Sequence, residues 1–482
     1  MFRIQAASTR GKTAALHSRY NPAAEAERYL NSLTFRADTR FFILMEPGRG
    51  YMIPILREKF PDAKIIALHI RQEETVPEED APDTNALGAA WSPESGVPLQ
   101  RFLEREIPDT EASSIQIIEW RPSLSVYGEQ YLRLLSETSD FIKRIDANKR
   151  TVRVFGRRWF KNFFKILSMA RKVLCHHASA FASLPCIITG AGPGLEDSLP
   201  VIQDLKRRFP LFILGVSSAV PALRSGGIDP DLIITTDGGA WALFHLYECL
   251  RKDIPALAAS LFSALPSQLG ETPLLLISDG SVWQTLILQS LNIPFISLAQ
   301  RGTVTASALD VAFTLTGGNV FISGMDLSHR DIRAHARPYS LDRFLEEKES
   351  RLNPVYSQTF VRSFGITNGG SHDVYAAWFK RQLETYPPRL YSLGTNHPVF
   401  DALTQWDAAD WGKTKRPDRL FGSKAIPPRT NLAVQAKEIL LRALQAPQTS
   451  AHIVRELGPL LFPDKGKVTS EALRDAISQS LG

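Results

Sequence analysis

The sequence predicts an α/β protein with a Rossmann-like N-terminal domain, a central domain built on an open, mainly parallel sheet, and a helical C-terminal tail. Three observations lead to this prediction. Apolar runs alternate with helical stretches in the first and central parts, as in βαβ units. The central runs are almost continuously apolar, which is typical of strands covered by helices on both faces. Leu432–Leu481 follow a mostly helical pattern instead.

Composition limits the class of protein. A chain of 482 residues exceeds one ordinary core, so two or three domains are expected. The hydrophobic fraction of 44% and the charged fraction of 22% are those of a soluble globular protein. No apolar run is long enough for a membrane span, and Met1–Arg10 lack the apolar core of a secretory signal. Three cysteines without a CxxC pair argue against structural zinc and against a disulfide framework. We therefore expect a cytoplasmic protein.

The net charge of +6 is modest for this length. It suits an anionic small substrate or an acidic partner, and it predicts no nucleic-acid binding.

Residues 1–136 are predicted to form the Rossmann-like domain. The strand signal Phe41–Met45 is followed by a glycine-containing turn, a helix over Met52–Phe60 and a second strand signal, Lys64–Leu68. This order is a βαβ unit, and Ile115–Ile118 predict a further strand.

Residues 137–183 are predicted to be a helical connector. Within it, Phe155–Leu167 mix aromatic and basic residues at helical spacing. Such a segment can bind a membrane surface or an acidic partner, or it can pack its aromatic stripe on a domain. We favour the packing interpretation.

Residues 184–410 carry the clearest α/β pattern and are predicted to be the catalytic domain. The strand signals are Cys186–Thr189, Leu211–Val216, Leu232–Thr236, Leu274–Ile277, Phe295–Ser297 and Val320–Ser323. Helical stretches separate many of them, so ligands are expected at the carboxyl ends of a mainly parallel sheet. Residues 411–482 are predicted to be a Pro- and Lys-rich linker followed by the helical tail.

The strongest local signal is the turn between the first central strand and the next helix. Glycines there let the backbone approach a ligand closely, and the helix that follows offers unpaired N–H groups to an anion. The turn departs from the dinucleotide pattern, because Leu195 stands where a third glycine is required, and it lacks the Walker lysine. We predict a nucleotide site that includes Gly190, Gly192, Pro193, Gly194 and Leu195.

Polar residues at other strand ends extend the predicted site. Ser217 and Ser218 follow the second central strand, where their hydroxyls suit a ribose, a phosphate or a base edge. Asp237 follows the third strand, where its carboxylate can accept from ribose hydroxyls or hold a cation. Asp326, His329 and His335 follow the sixth strand, and a carboxylate with two histidines there is predicted as an acid/base cluster, with Asp326 and His335 as the catalytic candidates. Their spacing matches no set metal pattern, so no metal ligand is predicted. Further polar candidates are Thr303, which can equally cap a helix, Ser328 and Thr367.

These residues resemble the motility-associated factor (Maf) flagellin glycosyltransferase family, whose core is also similar to the 6-hydroxymethylpterin pyrophosphokinase family. The central motifs are a G-x-G-P-S-L-type turn at Gly190–Leu195, I-x-P-D at Ile228–Asp231, a helix over Thr303–Gly317, and G-x-D-L-[AS] at Gly324–Ser328 with His335-Ala336 after it. The remaining matches are a closing helix within Thr367–Leu393 that includes Tyr375, Trp378 and Phe379, the segment Leu16–Arg28, and Arg158–Asn162 of the connector.

The resemblance implies transfer of a nonulosonic, sialic-acid-like sugar from a CMP-activated donor to Ser or Thr of flagellin. The glycine turn would then bind the CMP phosphate, while Asp237 with Ser217 or Ser218 would hold the ribose or base. His335 would act as general base on the acceptor hydroxyl, with Asp326 orienting it. CMP-nonulosonic acid is the donor substrate under this interpretation; no cofactor is assigned, and the need for a divalent metal stays open.

Two departures from the family pattern keep alternatives open. Gly194 stands where the family usually has serine, and the upstream turn is reduced to Glu46–Tyr51, with no acidic residue at Leu68-His69. The N-terminal unit resembles half of a methyltransferase, but we predict that it binds no S-adenosylmethionine and has a structural or acceptor-recognition role. The alternatives are a pterin pyrophosphokinase that uses ATP and Mg²⁺, and a non-catalytic flagellin-binding factor.

Overall fold

A computed structural model describes most of the chain. The described residues are 16–71, 88–107, 114–176, 183–250, 254–368, 371–403, 406–407, 411, 416–417, 420–427, 430–465 and 468–480. The chain divides into two compact units, Met1–Val154 and Phe155–Gly482, and each is described by itself.

The first unit is a parallel sheet with helices on both faces. Its elements are α1 (Pro22–Asn31), β1 (Phe41–Met45), α2 (Met52–Lys59), β2 (Lys64–Leu68), β3 (Ala89–Trp91), α3 (Leu99–Glu106), β4 (Ile115–Glu119), α4 (Arg121–Tyr127) and the first part of α5 (Glu129–Met169). The strand order within the described residues is β3-β2-β1-β4. Alternate residues of β1 enter different cores, with Phe42 and Leu44 in one and Ile43 and Met45 in the other, as the two-residue period of a strand requires.

The second unit is built on a larger sheet. Its first half contains the end of α5, then β5 (Lys172–His176), β6 (Cys186–Thr189), α6 (Leu195–Arg208), β7 (Phe212–Val216), α7 (Val220–Ser225), β8 (Leu232–Thr235), α8 (Ala242–Leu250), β9 (Leu257–Ser260), β10 (Leu274–Ser278), α9 (Val282–Ser290) and β11 (Ile296–Ser297). Its second half contains α10 (Val304–Leu315), β12 (Val320–Ser323), α11 (Asp342–Glu346), α12 (Val355–Asn368), α13 (Ser371–Gln382), β13 (Leu390–Ser392), β14 (Phe421–Ala425), α14 (Leu432–Ala443), α15 (Pro447–Leu461) and α16 (Ser470–Ser480).

The order of the strands in this sheet creates a switch point. Within the described residues the order is β13-β12-β6-β7-β8-β9-β10-β5-β14, and β11 pairs with β10. The chain advances from β6 to β10 on one side of β6, then places β12 and β13 on the other side. The paired strands are parallel except β14, which is antiparallel to β5. The predicted fold class is confirmed, and the switch point between β6 and β12 is where such sheets bind ligands.

The structure corrects two details of the predicted organisation. The predicted connector, residues 137–183, contains β5, which is a strand of the large sheet. The predicted linker after residue 411 contains β14, which pairs with β5 over Phe421–Ala425. Both strands are short and partly polar, so their sequences give a weak strand signal, and their pairing depends on residues far apart in the chain.

The aromatic stripe of the predicted connector packs into the protein. Phe160 and Phe163 are fully buried and Phe164 is 3% exposed. The rings of Phe160 and Phe163 pack against the indole of Trp283 in α9, at centroid distances of 6.0 Å and 4.5 Å. The packing interpretation is therefore confirmed. Among the described residues, no helix combines the length and apolarity needed to cross a membrane.

Candidate functional site

The predicted site residues gather along the carboxyl edge of the large sheet. The glycine turn follows β6, Ser217 and Ser218 follow β7, and Asp237 follows β8. On the other side of β6, Asp326 follows β12. Because β12, β6, β7 and β8 are neighbours in parallel pairing, these residues lie in adjacent positions on one edge of the sheet.

The glycines of the turn are required by the end of β12. A Cβ atom at Gly190 or Gly192 would come closer than 3.0 Å to the carbonyl oxygen of Gly324, and at Gly192 also to Asp326. A Cβ at Gly194 would lie 2.7 Å from Asp326 Oδ1. Real Cβ atoms essentially never approach other atoms so closely. The glycines therefore let the turn approach the segment Gly324–Asp326, which directly follows β12.

The backbone amides of the turn are bound by protein acceptors. Gly190 N donates to the Ser323 carbonyl at 2.7 Å, and Gly192 N donates to the Gly324 carbonyl at 2.8 Å. Gly194 N, at the start of α6, donates to Asp326 Oδ1 at 2.9 Å. A carboxylate thus lies where an anion was expected at this helix N-terminus. Binding of a phosphate by these amides stays a prediction. Pro193 and Leu195 are buried beside them.

Asp326 belongs to a group of buried polar side chains at the switch point. It is 8% exposed, and its Oδ2 atom has no hydrogen-bond partner among the described residues; the same holds for the hydroxyls of Thr189 and Ser323. Thr189 and Ser323 are register partners in β6 and β12. Burial raises the pKa of the Asp326 carboxyl, while the Gly194 amide and the charge of Arg330 lower it by less.

Asp237 presents an exposed carboxylate beyond β8. Its Oδ1 atom accepts a hydrogen bond of 2.7 Å from Gly239 N, which fixes the loop in a local turn. Burial and, to a smaller extent, the negative charge of Asp237 raise the pKa of Tyr375 in α13. The Tyr375 ring packs against Gly302, whose missing Cβ would lie 3.3 Å from it. The sequence places Tyr375 in the closing helix but does not indicate that the charge of Asp237 acts on it.

The remaining polar candidates have different surroundings. Ser217 is 4% exposed, whereas Ser218 is only partly buried. Thr303 caps α10, because its hydroxyl accepts a hydrogen bond of 3.0 Å from Ala306 N, as one of its two predicted roles requires. Ser328 is exposed in the loop after β12. Thr367 lies in α12, and its side chain is outside the described residues.

The residue that follows His335 is hydrogen-bonded to the glycine turn. Ala336 N donates to the Ala191 carbonyl at 2.8 Å. The His335 ring stacks on Tyr339, with centroids 4.2 Å apart and an interplanar angle of 11°. Asp326 directs Oδ1 to the Gly194 amide, so its predicted orientation of His335 stays a prediction. Among the described residues, no group of three or more His, Cys, Asp or Glu side chains is arranged to hold a metal ion.

Comparison with known proteins relates this geometry to a family. Residues 157–331 match the family model described as 6-hydroxymethylpterin diphosphokinase MptE-like. The fold matches the structure of a Maf glycosyltransferase from Magnetospirillum magneticum AMB-1, with a TM-score of 0.50 and 14% identity over 97% of this chain and 78% of that one. The chain resembles the Maf family. The resemblance predicted from the sequence is thereby confirmed, and at this identity the Maf likeness concerns the fold.

A further relative covers part of the chain. An uncharacterized protein of Treponema pallidum (strain Nichols) is 28% identical over 302 residues, which is 62% of this chain and 64% of that protein. The MptE-like match includes the glycine turn, Asp237 and Asp326, whereas His335 and Tyr375 lie beyond its end.

Proposed function

We propose that this chain is a glycosyltransferase that transfers a nonulosonic sugar from a CMP-activated donor to Ser or Thr of flagellin in the cytoplasm. The proposal rests on one observation: the glycine turn, Asp326 and the Asp237 loop all lie at the carboxyl edge of the large sheet. The fold that contains this sheet is similar to that of a Maf glycosyltransferase. A parallel sheet binds nucleotide ligands at this edge and at its switch point.

The donor would lie along the ends of β6, β7 and β8. The exposed Asp237 carboxylate can accept hydrogen bonds from ribose hydroxyls, and Ser217 and Ser218 lie on the next strand end. A phosphate bound beside α6 would lie next to Asp326. Burial raises the pKa of this carboxyl, which favours its neutral form more than in an exposed aspartate. A protonated Asp326 does not repel the phosphate, and a bound phosphate raises the same pKa further.

In the transfer step, His335 would take the proton of the acceptor hydroxyl. The hydroxyl oxygen bonds to the anomeric carbon of the sugar as the bond from that carbon to the CMP phosphate oxygen breaks. CMP leaves with the bonding electrons, and the proton stays on the imidazole until solvent removes it.

The MptE-like match supports a second candidate, a pterin pyrophosphokinase-like enzyme that uses ATP. It would need Mg²⁺, which such sites commonly hold with one or two carboxylates and the substrate phosphates. Asp237 is the exposed carboxylate at the strand ends that is suited to this role.

Calorimetric titration of the purified chain with CMP, and separately with ATP plus Mg²⁺, tests the two candidates. CMP binding is expected, and Asp237→Ala should weaken it about tenfold, the loss of roughly one hydrogen bond to a charged group. Asp279→Ala is the matched control, because Asp279 makes the same type of turn after β10, accepting from Ser281 N at 2.9 Å.

Equal losses in both variants would remove Asp237 from the donor site. Binding of ATP without CMP would favour the pyrophosphokinase. Absence of binding to CMP, to ATP and to the intact CMP-sugar would favour a flagellin-binding factor. The transfer itself is measured as a gain of one sugar mass on purified flagellin.

A further inference from the structure

The last part of α5 lies against the loops that follow β8 and β9. Asn162 Nδ2 donates to the Phe262 carbonyl at 2.8 Å and to the Gly238 carbonyl at 3.4 Å. A side-chain amide has two N–H donors, so one group can bind both loops. Lys165, one turn further along, donates to the Leu265 carbonyl at 2.7 Å.

Trp159 fills the space on the other side of the same loop. Its ring lies so close to Gly238 that a Cβ at that position would overlap the indole, and the Phe262 carbonyl oxygen would be 2.6 Å away. The indole stacks on Phe262 with centroids 5.5 Å apart and an interplanar angle of 10°. Gly238 is therefore held between Trp159 and the backbone at Phe262.

These contacts act on the residue next to Asp237. The Asp237 carbonyl accepts from Ala264 N at 3.0 Å, and its carboxylate accepts from Gly239 N. The side chain of Asp237 is exposed, so no packing of its own fixes it. Its direction follows from the backbone of residues 236–240, and that backbone is fixed by α5 and by the loop after β9.

We propose that Trp159 and Asn162 are positioning residues that hold the loop 236–240 so that the Asp237 carboxylate faces the donor. The proposal rests on the proposed function and adds the residues that preorganise its site. A binding carboxylate must be held within a fraction of an ångström, and residues behind it usually supply that precision. The Arg158–Asn162 motif thereby acquires a role beyond helix packing.

The test uses the full chain with Asn162→Asp. This substitution keeps the size of the side chain but replaces the donor amide by an acceptor that faces two carbonyl oxygens. The control is Lys165→Met, which removes a hydrogen bond from the same helix to Leu265, in the loop after β9, rather than one to residues 236–240. Trp159→Ala is the second variant, since it removes the indole atoms Cδ1 and Nε1 that lie beside Gly238.

Two changes are expected in Asn162→Asp. Amide exchange at residues 236–240 rises several-fold relative to the wild type, and the Kd for CMP rises about tenfold. Lys165→Met leaves the exchange and the Kd unchanged. Trp159→Ala raises exchange in the same residues.

The proposal is overturned if exchange at 236–240 is unchanged in Asn162→Asp and Trp159→Ala, or if Lys165→Met has the same effect. A wild-type chain that binds no CMP contradicts the proposed function alone, because the exchange measurement still tests the positioning of the loop.

Discussion

At the scale of single residues, His335 and Asp326 occupy different environments at the same edge of the sheet. His335 is partly buried and stacks on Tyr339, in a loop tied to Ala191 by the amide of Ala336. Asp326 is buried and bound to the start of α6. Under the proposed function, His335 would take the proton of the acceptor hydroxyl, and Asp326 would set the charge beside the glycine turn.

His335→Ala is expected to lower the rate of sugar transfer about 10²- to 10⁴-fold, the usual contribution of a general base. The affinity for CMP should not change, because the proton is taken from the acceptor. Transfer is measured on flagellin and affinity by calorimetry. His329→Ala is the control, since His329 is exposed in the same loop. Full activity in His335→Ala would remove this residue from the mechanism.

Asp326→Asn is expected to alter how stability depends on pH. The pKa of Asp326 is raised in the folded state by burial, so its contribution to stability is fully present below its unfolded pKa, about 3.9, and is lost as the pH rises through the folded value. The asparagine variant lacks this loss. Its stability relative to the wild type should therefore improve as the pH rises from about 3.9 through the raised pKa. Denaturation at several pH values checks this, and a constant difference would contradict the burial of a titrating carboxyl.

At the scale of secondary structure elements, the C-terminal helices complete elements of the large sheet's unit. Ser281 precedes α9 but makes no side-chain capping bond. Instead, Glu456 of α15 accepts from Val282 N at 3.0 Å and from Trp283 N at 3.3 Å. A carboxylate at a helix N-terminus also interacts favourably with the helix dipole. One helix of the predicted tail therefore caps a helix of the predicted catalytic domain.

Glu456→Ala should lower the free energy of unfolding of the large sheet's unit by about 1 kcal/mol, the typical effect of losing a cap. Glu438→Ala is the control: Glu438 forms an exposed pair with Arg442 at 3.5 Å, worth about 0.5 kcal/mol or less. Thermal and urea unfolding of the two variants separate these effects. Equal shifts would mean that the cap contributes no more than a surface ion pair.

At the scale of the whole molecule, three buried cores of described residues each lie within one unit. Two cores with residues between Ala26 and Ile145 lie in the first unit, and the core from Leu174 to Trp411 lies in the second. The division between the units falls inside α5, at Val154. Residues of α5 after the division keep their buried partners in the second unit, Phe163 beside Trp283 among them.

A fragment of residues 155–482 is therefore expected to fold without the first unit. Its circular dichroism should show native helix and strand content, and its unfolding should be cooperative. Amide exchange in β6, β7 and β8 should match that of the full chain, because these strands are buried within the second unit. Rapid exchange of those strands in the fragment would show that the second unit depends on the first.

The fold class, and the edge of the sheet at which the candidate site lies, follow from the amino-acid sequence alone. Continuous apolar runs such as Phe212–Val216 identify buried parallel strands, because no exposed face remains for polar residues. Once the strands are parallel, the residues after them meet at one edge. Asp237 and the glycine turn were found in this way. Strand β9 was missed because its small residues, Ala258 and Ala259, give a weak apolar signal.

The hydrogen bonds and contacts of the candidate site residues become visible only in the folded structure. Gly194 and Asp326 are 132 residues apart, and Asn162 and Gly238 are 76 apart, so no local pattern indicates that either pair is hydrogen-bonded. The sequence indicates that the turn needs glycine but not that the segment after β12, Gly324–Asp326, is the reason. Periodicity reports which face of an element is buried, whereas contacts between distant segments depend on how the strands are ordered in the sheet. That order is set by packing of the whole unit.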